Sequence, residues 1–112
     1  MERAERLRKG NEFDTVYSKG TVVGGPLLVV RHLPNDVGVT RWGFAVGKRL
    51  SKRATDRNRT KRRLRESAER QSMRQGIDIV VTARNGAIEA TYANLSHALG
   101  KTLAKAGLLG DE

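Results

Sequence analysis

Arg57, Asn58, Arg59, Lys61, Arg62 and Arg65 stand close together in the run KRLSKRATDRNRTKRRLR, residues 48–65, where ten of eighteen residues are Lys or Arg and only Asp56 is acidic. Arg offers a planar fork that grips two phosphate oxygens or stacks on a base, and Asn adds neutral hydrogen bonds to sugar or base edges. The chemistry that such a set performs is recognition of a polyanion, with phosphate as the natural ligand. The charges recur at helical spacing, so they belong to an ordered element rather than to a solubilising tail. Lys48, Arg49, Lys52 and Arg53 extend the same cluster toward the preceding residues.

Other chemistries find little support. Asp36, Asp56, Glu66, Glu69, Asp78 and Glu89 are scattered among different predicted elements, whereas a two-metal nuclease needs clustered carboxylates. His32 and His97, the only histidines, have no carboxylate at triad or ligand spacing. Gly24 and Gly25 are not followed by the Lys and Ser or Thr of a nucleotide-cradling loop. With no cysteine, disulfides and thiolate zinc sites are excluded, consistent with a reducing compartment. The residues alone leave a second class open: a structural RNA-binding protein of the ribosomal type. A helix that enters a DNA major groove is a further alternative.

The chain that must position these residues has 112 residues and a formal charge of +10. One domain with a modest core is expected, and self-repulsion on this scale calls for a polyanionic partner. No apolar stretch approaches the ~20 residues of a membrane span, and the N-terminus MERAERLRKG lacks a secretory signal's apolar block. A cytoplasmic protein with no membrane partner is expected.

Residues 1–9, with Arg3, Arg6, Arg8 and Lys9 around a single Leu7, read as a mobile basic arm. Asn11 is a candidate N-cap for a first helix that ends at Gly20, with Phe13, Val16 and Tyr17 on one face. That spacing suits burial of the rings in the core as well as their presentation to a ligand. LLVVRHL (27–33) and residues 40–46 read as strands and, being close in sequence, as a hairpin across the turn residues Pro34, Asn35, Asp36 and Gly38. On the second strand Trp42, Phe44 and Val46 share one face and Gly43, Ala45 and Gly47 the other, where small residues permit close approach.

A long helix is predicted from Ala54 or Thr55 to before Gly76, with Thr55 and Asp56 at its N-terminus and a Glu66–Arg70 pair along it. Its apolar seam is thin: Leu64 and Ala68, extended only by Thr60, Ser67 and Gln71. IDIVVTA (77–83) has the continuous apolar character of a buried strand, and Arg84, Asn85 and Gly86 turn the chain. Thr91 then caps a last helix with Tyr92, Leu95, Leu99, Leu103 and Ala106 at 3.6-residue period, ended by Gly107. The class is α+β: a mixed sheet packed with about three helices.

The segment KRLSKRATDRNRTKRRLRE (48–66) closely resembles the "RNR" signature of the bacterial ribonuclease P protein family. The resemblance extends over nearly the whole chain, through RLRKGNEFDTVYSKG, GFAVGKR and IDIVVTARNGAIEATYANLSHAL, in order and spacing. It implies a fold like the second domain of ribosomal protein S5, with a left-handed βαβ crossover. It also implies a role as the RNA-binding protein subunit of ribonuclease P, in which a catalytic RNA with bound Mg2+ removes the 5′ leader of precursor tRNA. The protein itself would then carry no catalytic residue and bind no cofactor, at one protein per RNA.

Transferred by position, the resemblance assigns Arg57, Asn58, Arg59, Lys61, Arg62 and Arg65 to the RNA subunit, together with Lys48, Arg49, Lys52 and Arg53. It assigns Phe13, Tyr17, Arg31, Phe44 and Lys48 to the leader, where stacking suits variable sequence because every base has a π-face. The chain departs from the family pattern at Thr60 and Arg63, where large apolar residues are usual or frequent. It departs again at Val30 and Arg31, where relatives commonly present an aromatic residue. An Arg there offers phosphate pairing or a cation–π contact in place of stacking.

Overall fold

The most apolar strand of the sequence occupies the middle of the sheet. In a computed structural model, which describes residues 1–110, β4 (Ile77–Ala83) is buried along nearly its whole length. It pairs antiparallel with β2 (Leu28–Pro34) on one side and parallel with β3 (Arg41–Ala45) on the other. β1 (Thr21–Gly24) adds to the outer side of β2, giving the order β1-β2-β4-β3.

The two strands expected to form a hairpin are therefore not neighbours. β4 is buried by helices on both faces and pairs its backbone on both edges, antiparallel to β2 and parallel to β3, so it separates the two. The actual hairpin is β1–β2, turned at Gly25 to Leu27 and closed by the Gly25 N–H on the Leu28 carbonyl at 2.9 Å. β3 returns to its parallel neighbour β4 through α2 (Ala54–Glu69), a βαβ unit.

Strand alternation divides the apolar residues between two layers. Leu28, Val30, Ile79, Val81 and Trp42 join the main core with Leu64 and Ala68 of α2 and with Leu95, Leu99 and Leu103 of α3 (Tyr92–Lys105). On the opposite face Val80 meets Val16 of α1 (Gly10–Lys19), Leu7, Phe13 and Leu33. Two helices thus cover one face and one helix the other.

Of the seam predicted for α2, Thr60, Leu64, Ser67 and Ala68 are buried, whereas the helix ends at Glu69, well before Gly76, and leaves Gln71 half-buried beyond it. No ion pair joins Glu66 to Arg70 among the described residues. Thr91 Oγ1 accepts the Asn94 N–H at 3.1 Å and caps α3, and Gly107 adopts φ +74° just past its end. In α1 the N-cap position is Lys9 rather than Asn11, and the Glu12 carboxylate reaches back from the first turn to accept the N–H groups of Arg8 and Lys9 at 2.9 and 3.1 Å.

Residues 1–9 are not a free arm. Arg3–Glu5 form a 3-10 turn, Leu7 is buried, and the Leu7 N–H donates to the Trp42 carbonyl at 2.9 Å. β3 is an edge strand with unpaired backbone groups, and the arm satisfies one of them. No helix among the described residues is long and apolar enough to cross a membrane.

Candidate nucleic-acid interface

The junction between β3 and α2 is built by the one acidic residue of the basic run. Asp56, in the first turn of α2, accepts from Ser51 Oγ at 3.0 Å and from Arg59 at 3.4 Å, and Arg57 Nη1 donates to the Ser51 carbonyl at 2.9 Å. A carboxylate in a first helical turn also complements the helix dipole. Arg57 is thereby committed in part to holding the loop. Lys48, Arg49, Lys52, Arg53, Asn58, Arg59 and Arg62 are exposed, while Lys61 and Arg65 are half-buried beside the seam. Of these cations only Arg59 forms an ion pair among the described residues. Arg63 faces the other way and donates to the Ala90 carbonyl at 2.9 Å, so it ties α2 to the segment before α3.

On the opposite face of the sheet, α1 brings Phe13 and Tyr17 down onto the strands. Phe13 lies on Gly43, where a Cβ would collide with the ring. The Tyr17 hydroxyl is 3.4 Å from Thr82 Oγ1, and the Arg31 guanidinium sits 5.0 Å from the Tyr17 ring centroid in cation–π geometry. Tyr17 keeps 41% of its surface exposed, so its ring is available to a partner. Phe13, Tyr17 and Arg31 therefore form one strip.

Phe44 does not belong to it. In β3 the α1-facing position falls to Gly43, and Phe44 points to the α2/α3 side, stacked on Trp42 with centroids 5.9 Å apart and planes 3° from parallel. Lys48 is exposed on the loop that follows β3. That loop reaches the Thr82 end of the strip, since Gly47, Arg49 and Leu50 line a hollow of about 370 Å³ with Thr82 and Arg84.

A larger groove, about 620 Å³, runs around the open edge of β3 and connects the two faces. Arg3, Arg6 and Arg8 of the arm line it together with Phe13, Phe44, Lys61 and Arg65. The arm cations are site candidates missed by sequence reasoning, because a charge run with one apolar residue looks unanchored. Leu7 was the available signal: a lone large apolar residue in such a run marks a point of attachment.

The strip is held in place by ionic contacts. Arg41 binds Asp78 through two parallel bonds, Nε to Oδ1 at 2.8 Å and Nη2 to Oδ2 at 2.7 Å, and reaches Glu12 at 3.1 Å. Asn35 Nδ2 donates to Asp78 Oδ1 at 2.8 Å. The N–H groups of Arg8 and Lys9, with Arg41 behind them, hold the Glu12 carboxyl below the usual carboxylate range, and Asp78 raises the Arg41 guanidinium further. Burial lowers the His32 imidazole, which is on a strand away from any carboxylate cluster. Among the described residues no three His, Cys, Asp or Glu side chains are grouped to hold a metal ion.

A mixed sheet carrying a basic helix and loop on one side and an aromatic–guanidinium strip on the other defines an α+β RNA-binding protein. The chain belongs to the ribonuclease P protein family: the sequence model described as Ribonuclease P matches residues 1–107. It is 43% identical over 115 residues to the ribonuclease P protein component of Gluconacetobacter diazotrophicus, covering 99% of this chain and 98% of the relative. The corresponding protein of Dehalococcoides mccartyi is 38% identical over 109 residues, covering 97% and 90%. Among solved structures, the RNase P protein of Staphylococcus aureus superposes with TM-score 0.85 at 29% identity, over 96% of this chain and all of that one. The Thermotoga maritima RNase P protein gives TM-score 0.81 at 28% identity, over 90% and 96%. The protein is thus a subunit of the ribonuclease P holoenzyme that cleaves tRNA precursors, with the RNA subunit and precursor tRNA as partners, and not a ribosomal-type protein.

Proposed function

We propose that the loop and exposed flank of α2 bind the RNA subunit, and that Phe13, Tyr17 and Arg31, with Lys48 at the end of the strip, hold the 5′ leader. The observation that carries this reading is the unpaired state of the cations from Lys48 to Arg65, against which only one internal ion pair is set among the described residues. Cations held near one another without counter-charge repel, and a phosphate strand removes that repulsion while releasing its own counterions. Arg57, Asn58, Arg59, Lys61, Arg62 and Arg65 supply the donors on the helix; Lys48, Arg49, Lys52 and Arg53 supply them on the loop. Tyr17 and Arg31 offer a ring and a guanidinium plane to unstacked bases.

On this reading the protein works by substrate selection. Leader contacts favour precursor over product, because mature tRNA has no leader. Hydrolysis and the Mg2+ it needs belong to the RNA subunit, with one protein per RNA, in the cytoplasm.

The test is reconstitution of the full-length protein with a bacterial ribonuclease P RNA, followed by precursor cleavage at low Mg2+. Arg59→Ala and Arg62→Ala are expected to weaken assembly, most visibly at low protein and high salt. Unchanged affinity for the RNA subunit in both variants would remove α2 from the interface. Tyr17→Ala with Arg31→Ala is expected to weaken precursor binding by about 1–3 kcal/mol for each stacked base lost while sparing mature tRNA. Equal losses for the two ligands would exclude a leader role for the strip.

A further inference from the structure

More than half of the Lys and Arg residues lie outside the run from Lys48 to Arg65. One group of them faces a second groove, about 550 Å³, at the opposite edge of the sheet, between the β1–β2 turn and α3. His97, Lys101 and Lys105 rise along its wall at intervals of four residues. All three are exposed, and neither Lys forms an ion pair among the described residues. Asn94 continues the row one turn earlier, and Leu27 and Ala98 contribute an apolar floor. Among the described residues no acidic side chain lines the groove.

We propose that this face of α3 is a second docking surface, binding one phosphate-bearing strand of the RNA subunit. Four helical residues advance about 6 Å, comparable with the step between successive phosphates on one A-form strand. His97, Lys101 and Lys105 therefore present one donor per phosphate over three positions. The facing turn is fixed at its start, where Lys105 Nζ donates to the Gly24 carbonyl at 3.1 Å and Arg84 Nη1 to the Gly25 carbonyl at 2.9 Å, and at its end, where the Arg84 N–H donates to the Leu27 carbonyl at 2.9 Å. The occupant is the RNA subunit rather than the leader because α3 lies in the same helical layer as α2, on the face of the sheet opposite to the Tyr17–Arg31 strip. In this respect the assignment rests on the proposed role of α2.

Lys101→Gln with Lys105→Gln in the full chain tests it, since Gln at 105 keeps a donor for Gly24. The probe is the ribonuclease P RNA subunit, titrated across a salt series, with Arg62→Ala as the reference for α2. The expected result is a loss of roughly three- to tenfold in affinity near physiological salt, and a salt slope shallower by about 0.7 to 0.9 for each contact removed. Lys101→Arg with Lys105→Arg should retain affinity. Lys101→Gln alone, at an exposed residue without a partner among the described residues, keeps the test valid if the double variant loses stability. Unchanged affinity in the Gln variants alongside a loss in Arg62→Ala overturns the α3 surface and leaves the α2 reading standing. A loss in the Gln variants with none in Arg62→Ala does the reverse. Weakened precursor tRNA binding with intact RNA-subunit affinity also overturns it, by assigning the face to the substrate.

Discussion

Gly43 shows how much one missing side chain contributes. Phe13 rests where a Cβ would be, so Gly43→Ala must displace either the ring or the strand. Overpacking of this kind costs about 1–3 kcal/mol, and the expected outcome is a lower denaturant midpoint with leader binding weakened through the displaced ring. An unchanged midpoint would mean that Phe13 does not seat on β3. Glu12 has a different signature, since its carboxyl is held below the ordinary value of 4.5 by the Arg8 and Lys9 N–H groups and then by Arg41. A carboxyl depressed by folding adds stability that is fully present above pH 4.5 and is lost as pH falls through the lower folded value. Glu12→Gln should therefore flatten the acid limb of the stability curve, measured by thermal unfolding between neutral and acid pH, while leaving its shape above that range unchanged. Arg31 shows the limit of single-residue reading. Its alternation on β2 was visible, but only the placement of α1 puts Tyr17 beneath the guanidinium.

At the level of elements, α2 was legible because periodicity is local. The pattern at Thr60, Leu64, Ser67 and Ala68 was enough to find the seam, and the structure buries those four positions. Inside the seam, Thr60 Oγ1 and Ser67 Oγ have no hydrogen-bond partner among the described residues. A buried hydroxyl without a partner costs about 1–3 kcal/mol, and an apolar group of similar shape removes that cost. Thr60→Val and Ser67→Ala should each raise stability by about 1 kcal/mol, read as a higher urea midpoint, with RNA-subunit affinity unchanged because the opposite flank is untouched. A fall in stability would show that these hydroxyls are satisfied in solution. β4 and α3 were legible for the same local reason. Strand pairing was not, because whether residues 27–33 and 40–46 pair is decided by a strand more than thirty residues away that inserts between them and pairs its backbone with both. The side taken by Phe44 was not legible either: alternation set it opposite Gly43, but the face that α1 covers is a tertiary choice. The arm was misread because its one apolar anchor, Leu7, finds its site only once β3 is an edge.

For the molecule as a whole, a charge of +10 on 112 residues acts on folding and on binding in opposite senses. Screening falls to a length of about 8 Å at physiological ionic strength, so added salt relieves repulsion among the cations of α2, its loop and the arm. Salt also removes the counterion-release gain that drives RNA association. The free protein should therefore melt at a higher temperature as salt rises from low to physiological concentration, while its affinity for the RNA subunit falls with a slope set by the number of phosphates contacted. The two faces of the sheet should differ in the same series. Arg62→Ala should make the slope for RNA-subunit binding shallower, and Tyr17→Ala should reduce precursor affinity with little change in slope, because stacking displaces few ions. Since Tyr17 and Arg62 lie on opposite faces of the sheet, the double variant should equal the sum of the single losses to within about 0.5 kcal/mol. Strong coupling between them would mean that RNA subunit and leader meet in the groove around β3, where Phe13 and Lys61 line one wall system, and that the two faces act as a single site.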